Sequence, residues 1–518
     1  MKTTRPSTDG FLLNGNNLNS ELAKKIVDDG IRISLSPNAK KAILRSRKAV
    51  ENSIKNNEII YGVTTGFGEF KDIKISSGDV ETLQRNLIIS HSAGVGEPLP
   101  KNIVRLMLLL QINSLIKGYS GIRLELIELM LKVFNSEVVA HIPSQGSVGS
   151  SGDLAPLAHL AGVLIGEGHA YYKNELLTSK KALSKAKLKP IRLAAKEGIA
   201  LINGTQMMTA FAIECIERAK RLSKLADISG ALSVEALRGS DYPFDERLHK
   251  VRPHKGQIDT AANFRKLLRQ SEINLSHIDC GKIQDAYSLR CIPQVHGAVK
   301  DTIEYSAKVI NTEINSVTDN PIIFSDKNKT TYISGGNFHG EPIALVMDFL
   351  KIAISELGNI SERRTARLVD GNLSGLPRFL TANGGLNSGL MIAQYTAASL
   401  VSENKILCHP ASVDSIPTSA NQEDHNSMGS IASRNCFEVI KNTEKIIAVE
   451  TLCASQGIDF LKPLKCGKGT EEAHRIFRKT LPHINDDVFT SEFIHRSIDC
   501  IMSPHFLSSI EKKIGKLF

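Results

Sequence analysis

Four long stretches, residues 201–237, 342–369, 388–407 and 433–456, place apolar side chains every three or four positions with few helix breakers. That spacing lines one face of an α-helix with hydrophobic groups, and helices of such length bury the face most economically against one another in a bundle. In the second stretch the face begun by Ile352, Ile354, Leu357 and Ile360 continues through Thr365, Leu368 and Val369, with Glu362, Arg363 and Arg364 between. Strand signals are short and local: hairpins are expected around residues 11–17, 170–177 and 322–333, the last turning through Asp326-Lys327-Asn328-Lys329. The chain therefore reads as mainly α, a long-helix bundle with a smaller motif-bearing N-terminal lobe. A boundary near residue 200 divides it into an N-terminal lobe, 1–200, and a helical bundle with C-terminal lobe, 201–518. Turn-rich islands at 61–68, 143–153, 315–321, 334–342 and 410–425 interrupt the helices, and loops held on a rigid scaffold are where chemistry concentrates.

Charge and cysteine content exclude several function classes. The net charge of +10, from 64 basic and 54 acidic residues, is a modest excess that specifies no partner. Its densest basic run, Lys180, Lys181, Lys185, Lys187 and Lys189, has no interleaved aromatic residues, so it lacks the stacking platform of a single-strand nucleic-acid binder. No nucleic-acid partner is expected. Residues 1–10 are polar, without the apolar core of a secretion signal, and no later apolar run has the length of a membrane span. The eight cysteines are scattered, with no Cys-x-x-Cys or Cys/His spacing suited to a metal. A cytoplasmic protein with reduced thiols, no membrane partner and no metal is the expectation.

The 143–153 island contains Gly146-Ser147-Val148-Gly149-Ser150-Ser151-Gly152-Asp153. Its tripeptide Ser150-Ser151-Gly152 carries the three groups needed to make an electrophile from backbone alone. These are a carbonyl at 150, a hydroxyl that can be lost at 151, and an unhindered amide nitrogen at 152. Attack of the Gly152 nitrogen on the Ser150 carbonyl closes a five-membered ring, and loss of two waters leaves an exocyclic methylidene derived from Ser151. Glycine suits the third position because it permits close backbone approach and positive φ. Gly146, Gly149 and Gly152 do not form a phosphate loop, because the Gly-Lys-Ser/Thr ending is absent. Asp153 stands where it would cap a helix running from Leu154 to about Leu164.

Other islands supply blocks in a definite order: Tyr61-Gly62-Val63-Thr64-Thr65-Gly66-Phe67-Gly68, Ser90-His91-Ser92-Ala93-Gly94, Lys196-Glu197-Gly198 through Asn203-Gly204-Thr205-Gln206, Gln284-Asp285-Ala286-Tyr287-Ser288-Leu289-Arg290, Asn315 through Pro321, Gly335-Gly336-Asn337-Phe338-His339-Gly340-Glu341, and Asn421-Gln422-Glu423-Asp424-His425. Together with the tripeptide loop they resemble, almost end to end, the histidine-using branch of the aromatic amino-acid ammonia-lyase family, whose members build a methylideneimidazolone (MIO) from an internal tripeptide. The resemblance implies an MIO formed from Ser150, Ser151 and Gly152, with no external cofactor and with Asp153 assisting the dehydration. It implies L-histidine as substrate, elimination of ammonia to give trans-urocanate, and a homotetramer whose sites are shared between subunits.

It also implies roles for individual residues. Tyr61 is the candidate base for the β-hydrogen, with Tyr287 as the competing assignment. Arg290 offers a bidentate fork to the substrate carboxylate, Asn203 and Gln284 position the substrate, and Phe338 forms an apolar wall. His91 and Glu423 face the substrate ring. A neutral imidazole presents one donor and one acceptor, so these two side chains would satisfy it, whereas a phenyl or phenol ring would leave them unpaired. Ser150 departs from the alanine usual in the family, and Thr64 from the frequent asparagine. The phenylalanine and tyrosine lyases, and MIO-dependent aminomutases, are the alternatives within the family. A non-catalytic binding homologue is the alternative outside it.

Overall fold

The computed structural model describes residues 10–56, 58–60, 62, 65, 79–278, 281, 283–325 and 329–518. Tyr61 and Thr64 lie outside the described residues. Two compact units are defined by their internal contacts. The first comprises the described residues up to Glu217 together with Ala307–Asp348 and Pro410–Arg434, and the second comprises Arg218–Ser306, Phe349–His409 and Asn435–Phe518. The lobes expected at 1–200 and 201–518 are continuous in sequence, whereas these units interleave along the chain. The reason is that the chain passes from one unit to the other within long helices, such as Gln206–Ala236, Ile292–Glu313, Glu341–Val369 and Gly429–Asp459.

In the first unit, helix Lys101–Leu115 is buried on nearly every side, from Ile103 and Val104 through Leu115. Helix Leu154–Ile165 is similarly enclosed. All-round apolar sequences of this kind belong in an interior. The strands are marginal to these helices. His169–Tyr172 and Glu175–Thr178 form the expected hairpin and extend to a third strand, Val138–Ala140. Ile322–Ser325 pairs with Thr330–Ile333, also as expected, although Asp326, Lys327 and Asn328 of its turn lie outside the described residues.

The hairpin expected at 11–17 is not formed. Strand Phe11–Leu13 pairs in parallel with Ile33–Leu35 across the intervening helix Ser20–Asp28. Asparagine side chains explain the difference. Asn17 Nδ2 donates to the Leu12 carbonyl at 2.8 Å, Asn14 Oδ1 accepts from the Asn16 amide at 2.8 Å, and Asn19 caps the helix through the Leu22 amide. Side-chain bonds to backbone thus replace a returning strand with a helix start.

The expected helices appear as Gln206–Ala236, Glu341–Val369, Met391–Leu407 and Gly429–Asp459. Residues 201–205 do not join the first of them. Helix Glu197–Ile202 ends, Asn203 is extended, and Gly204 takes φ +129° before a new helix begins at Gln206.

In the second unit three of these helices meet at one buried ion pair. Arg364 and Glu450 are both fully buried; Arg364 Nη2 donates to Glu450 Oε2 at 2.9 Å, and Ser233 Oγ donates to Oε1 at 2.6 Å. A buried charge deprived of its partner is costly, even where the intact pair contributes little net stability. Replacing Arg364 with Met should therefore lower unfolding free energy by about 3–5 kcal/mol. The double change Arg364→Met with Glu450→Leu should recover most of that loss. Chemical denaturation of the full chain measures both, and a single variant as stable as the parent would contradict this assignment.

Candidate active site

The tripeptide loop is held against two other segments of the first unit. On one side, the Gly204 amide donates to the Ser151 carbonyl at 3.3 Å, and the Asp153 amide donates to the Gly204 carbonyl at 2.7 Å. On the other, the Met428 amide donates to the Val148 carbonyl at 3.0 Å and Ser430 Oγ to the Ser147 carbonyl at 2.7 Å. The chain turns back on itself at Ser151 and Gly152, with φ of 50° and 83°. A Cβ at position 152 would stand 2.0 Å from the Gly204 carbonyl oxygen. Only glycine fits there. Ser151 is a serine in the left-handed region, which L-residues other than glycine adopt only under constraint from their surroundings.

Asp153 is fully buried, and its carboxylate does not cap its own helix as expected. Its φ and ψ of −94° and 53° are not those of an extended cap. Oδ2 instead accepts from the amides of Met207 at 2.8 Å and Met208 at 3.0 Å, in the first turn of the helix beginning at Gln206. The segment that reaches across to Gly204 thus also satisfies the exposed donors of a second helix. Oδ1 is buried with no hydrogen-bond partner among the described residues. Burial pushes the carboxyl up to about 7, against the two backbone donors, with the Glu313 charge adding to the rise. Glu313 is itself raised by burial and accepts from Thr205 Oγ1 at 2.5 Å.

Glu423 reaches the same loop from the 410–434 segment. Thr418 and Glu423 exchange backbone bonds of 2.9 and 3.3 Å across a short loop in which Ser419, Ala420 and Asn421 all have positive φ. The closure sets Thr418 Oγ1 at 2.8 Å from Glu423 Oε2. Ser150 Oγ donates to the same oxygen, and Ser151 Oγ lies 3.4 Å from Oε1. His91 ends helix Val80–His91, with Nδ1 3.1 Å from Ser90 Oγ. Burial lowers the pKa of its imidazole, while the Leu87 carbonyl and the nearby Glu423 charge oppose that shift.

Asn203 is buried and donates to the Asn320 carbonyl at 3.1 Å. Asn320 Oδ1 in turn accepts from the Gly335 amide at 2.8 Å, anchoring the 334–340 loop on which Phe338 sits half-buried. Beside Asn320, Lys196 and Asp319 form a buried pair at 2.6 Å, and burial lowers the lysine pKa despite the carboxylate.

Gln284, Tyr287 and Arg290 belong to the second unit. Tyr287 is exposed, and the Arg290 guanidinium lies over its ring, 4.6 Å from the centroid. Arg290 Nε is buried without a partner among the described residues. Gln284 is exposed and borders a cavity of about 290 Å3 with Arg238, His277 and Asp285. The first unit thus unites Ser150, Ser151, Gly152, Asp153, Asn203, His91 and Glu423, and the second holds Tyr287 against Arg290.

Sequence reasoning missed Thr418, whose hydroxyl binds Glu423, and gave no role to Lys196 or Asp319, although both lie in quoted blocks. Lys196 and Glu197 open the segment side by side, so the sequence carried no sign that Lys196 would pair with Asp319. Among the described residues His339, Glu341 and His425 have side chains close enough to share a metal ion. His339 Nε2, however, faces the His425 carbonyl at 3.3 Å and Nδ1 accepts from the Glu341 amide at 3.3 Å. Both ring nitrogens are engaged by backbone.

This architecture, with a Ser-Ser-Gly tripeptide under a carboxylate, defines a class. Residues 18–479 match the family model for aromatic amino acid lyases, and the chain belongs to that family. Among its relatives, the histidine ammonia-lyase of Natranaerobius thermophilus is 50% identical over 506 residues, covering 98% of this chain and 99% of that protein. The crystal structure of histidine ammonia-lyase from Trypanosoma cruzi superposes with a TM-score of 0.90 at 44% identity, covering 97% of this chain and 95% of that one. The tyrosine aminomutase of Streptomyces globisporus gives 0.93 at 36% identity, over 98% of this chain and 100% of that one.

The carboxyl of Asp153 implies a particular pH dependence. An exposed aspartate in the unfolded chain releases its proton near 3.8, whereas the folded chain holds it to about 7. Between those values the folded state binds more protons, so this contribution to stability is fully present below about pH 4 and is lost as pH rises through 7. Asp153→Asn keeps an oxygen for the Met207 and Met208 amides but cannot ionise. Thermal unfolding from about pH 4 to about pH 8 should show the parent losing stability relative to this variant as pH rises. A gap that stays constant or moves the other way would contradict the protonated carboxyl.

Proposed function

We propose that the protein eliminates ammonia from L-histidine to give trans-urocanate, using an MIO electrophile formed from Ser150, Ser151 and Gly152. The observation that carries this reading is Glu423. Its carboxylate lies directly against the tripeptide and close to His91, where an imidazole can exchange hydrogen bonds with both. An apolar ring at that place would offer no partner to the half-buried His91 and Glu423 that it covers, a mismatch that disfavours phenyl and phenol substrates.

The residues fit formation of the ring. Gly152 supplies an amide that no side chain obstructs, the constrained φ of Ser151 bends the tripeptide, and Asp153, with its carboxyl near 7, can exchange a proton at neutral pH. The methylidene group, when formed, supplies an electrophile for the substrate amine and makes it a better leaving group. The remaining work belongs to side chains. Tyr61, or Tyr287 in the competing assignment, removes the β-hydrogen. Arg290 binds the carboxylate, Asn203 and Gln284 orient the substrate, and Phe338 supplies an apolar wall. In a cytoplasmic homotetramer, Tyr287 and Arg290 serve the electrophile of a neighbouring chain.

Product analysis tests this function. With histidine the purified protein should release urocanate and ammonia in equal amounts. Phenylalanine and tyrosine should react at least about tenfold more slowly, the effect of one polar group left unpaired under the bound substrate ring. Preferential formation of cinnamate, coumarate or a β-amino acid would instead favour the aromatic lyase or aminomutase reading, to which the tyrosine aminomutase likeness lends support.

A further inference from the structure

We propose that Ser150 is a positioning residue for Glu423. Its hydroxyl survives ring formation and holds one carboxylate oxygen, while loss of the Ser151 hydroxyl frees the other oxygen for the substrate imidazole. The inference rests on the histidine reading above and assigns the first ring residue a part in specificity that ring formation does not require.

The geometry is asymmetric. Glu423 Oε2 receives two hydroxyls, Ser150 Oγ and Thr418 Oγ1 at 2.8 Å, and these hydroxyls lie 3.3 Å apart. Oε1 faces only one of the pair of serines, Ser151 Oγ at 3.4 Å. Ser150 is only 6% exposed, so water has little access to replace its donor.

The atoms lost in cyclisation decide which of these contacts endure. A bond forms between the Gly152 nitrogen and the Ser150 carbonyl carbon, and the carbonyl oxygen departs as water with the Gly152 and Ser151 amide protons. The Ser151 hydroxyl departs with its Cα hydrogen as the second water. No side-chain atom of Ser150 takes part. Oε1 therefore loses its serine donor, whereas Oε2 keeps both of its own. A carboxylate fixed through one oxygen presents the other in a single direction, and hydrogen bonds to charged groups are among the stronger ones available for such fixing. Where alanine stands at position 150, Thr418 alone would hold Oε2.

Steady-state kinetics and intact mass of full-length Ser150→Ala test this. The variant should lose both waters as completely as the parent. Its KM for histidine should rise about tenfold, with kcat within about twofold, the pattern of lost binding that ground state and transition state share. Thr418→Val should shift KM in the same direction, and Ser150→Thr, which restores a hydroxyl, should bring KM back to within about threefold of the parent. An unchanged KM in Ser150→Ala would overturn the proposal, as would a tenfold fall in kcat at constant KM or incomplete water loss. A parent protein that makes no urocanate would instead overturn the histidine reading itself, so the two failures are distinguishable.

Discussion

Two backbones approach so closely at Gly152 and Gly204 that no Cβ fits between them, and the candidate site is organised around that contact. The Gly204 carbonyl would be 2.0 Å from a Cβ on residue 152, and Gly204 takes a φ of +129° to present it. The hydrogen bonds on either side, from Gly204 to Ser151 and from Asp153 to Gly204, fasten the tripeptide to the segment that opens helix Gln206–Ala236. That fastening explains why Ser151 can hold a positive φ, and why the Asp153 carboxylate meets the Met207 and Met208 amides rather than those of its own helix. One short contact therefore sets both the bend of the tripeptide and the surroundings of its neighbouring acid.

Burial then sets the chemistry of the groups brought there. Among the described residues Asp153 has two backbone donors on one oxygen and none on the other, and desolvation outweighs the donors. Glu423 lies in a more open place with two hydroxyls on one oxygen. Two carboxylates near one tripeptide thus sit in different surroundings, Asp153 fully buried against backbone amides and Glu423 half-buried against hydroxyls.

The long helices were legible because their apolar spacing is enforced by burial over many turns. Two local features were not. The Asn203-Gly204-Thr205 break lies inside a pattern that periodicity alone carries through, and its cause is the contact with Gly152, a partner some fifty positions away. The parallel pairing of Phe11–Leu13 with Ile33–Leu35 was hidden because asparagine side chains, rather than a turn, redirect the chain after Leu13. At the site, the ordered blocks singled out His91, Asn203 and Glu423, all of which lie in the first unit, with Asn203 bonded to the Asn320 carbonyl and Glu423 to the tripeptide. Thr418 escaped because its role depends on a loop closure with three consecutive positive φ values, at Ser419, Ala420 and Asn421, two of them in residues that rarely adopt them. Asp153 was legible as a cap but not as the cap of another helix, since sequence order gives no sign of that crossing.

On the proposed function, this backbone contact prepares Ser150-Ser151-Gly152 to become an electrophile. Intact mass of the denatured protein tests it most directly, with the tripeptide located by fragmentation and Ser151→Ala as the reference. The account predicts that the parent chain is lighter than its sequence by two waters, lost from residues 150–152, and that the variant shows neither that deficit nor turnover of histidine. A parent chain of full sequence mass that still deaminates histidine would contradict it.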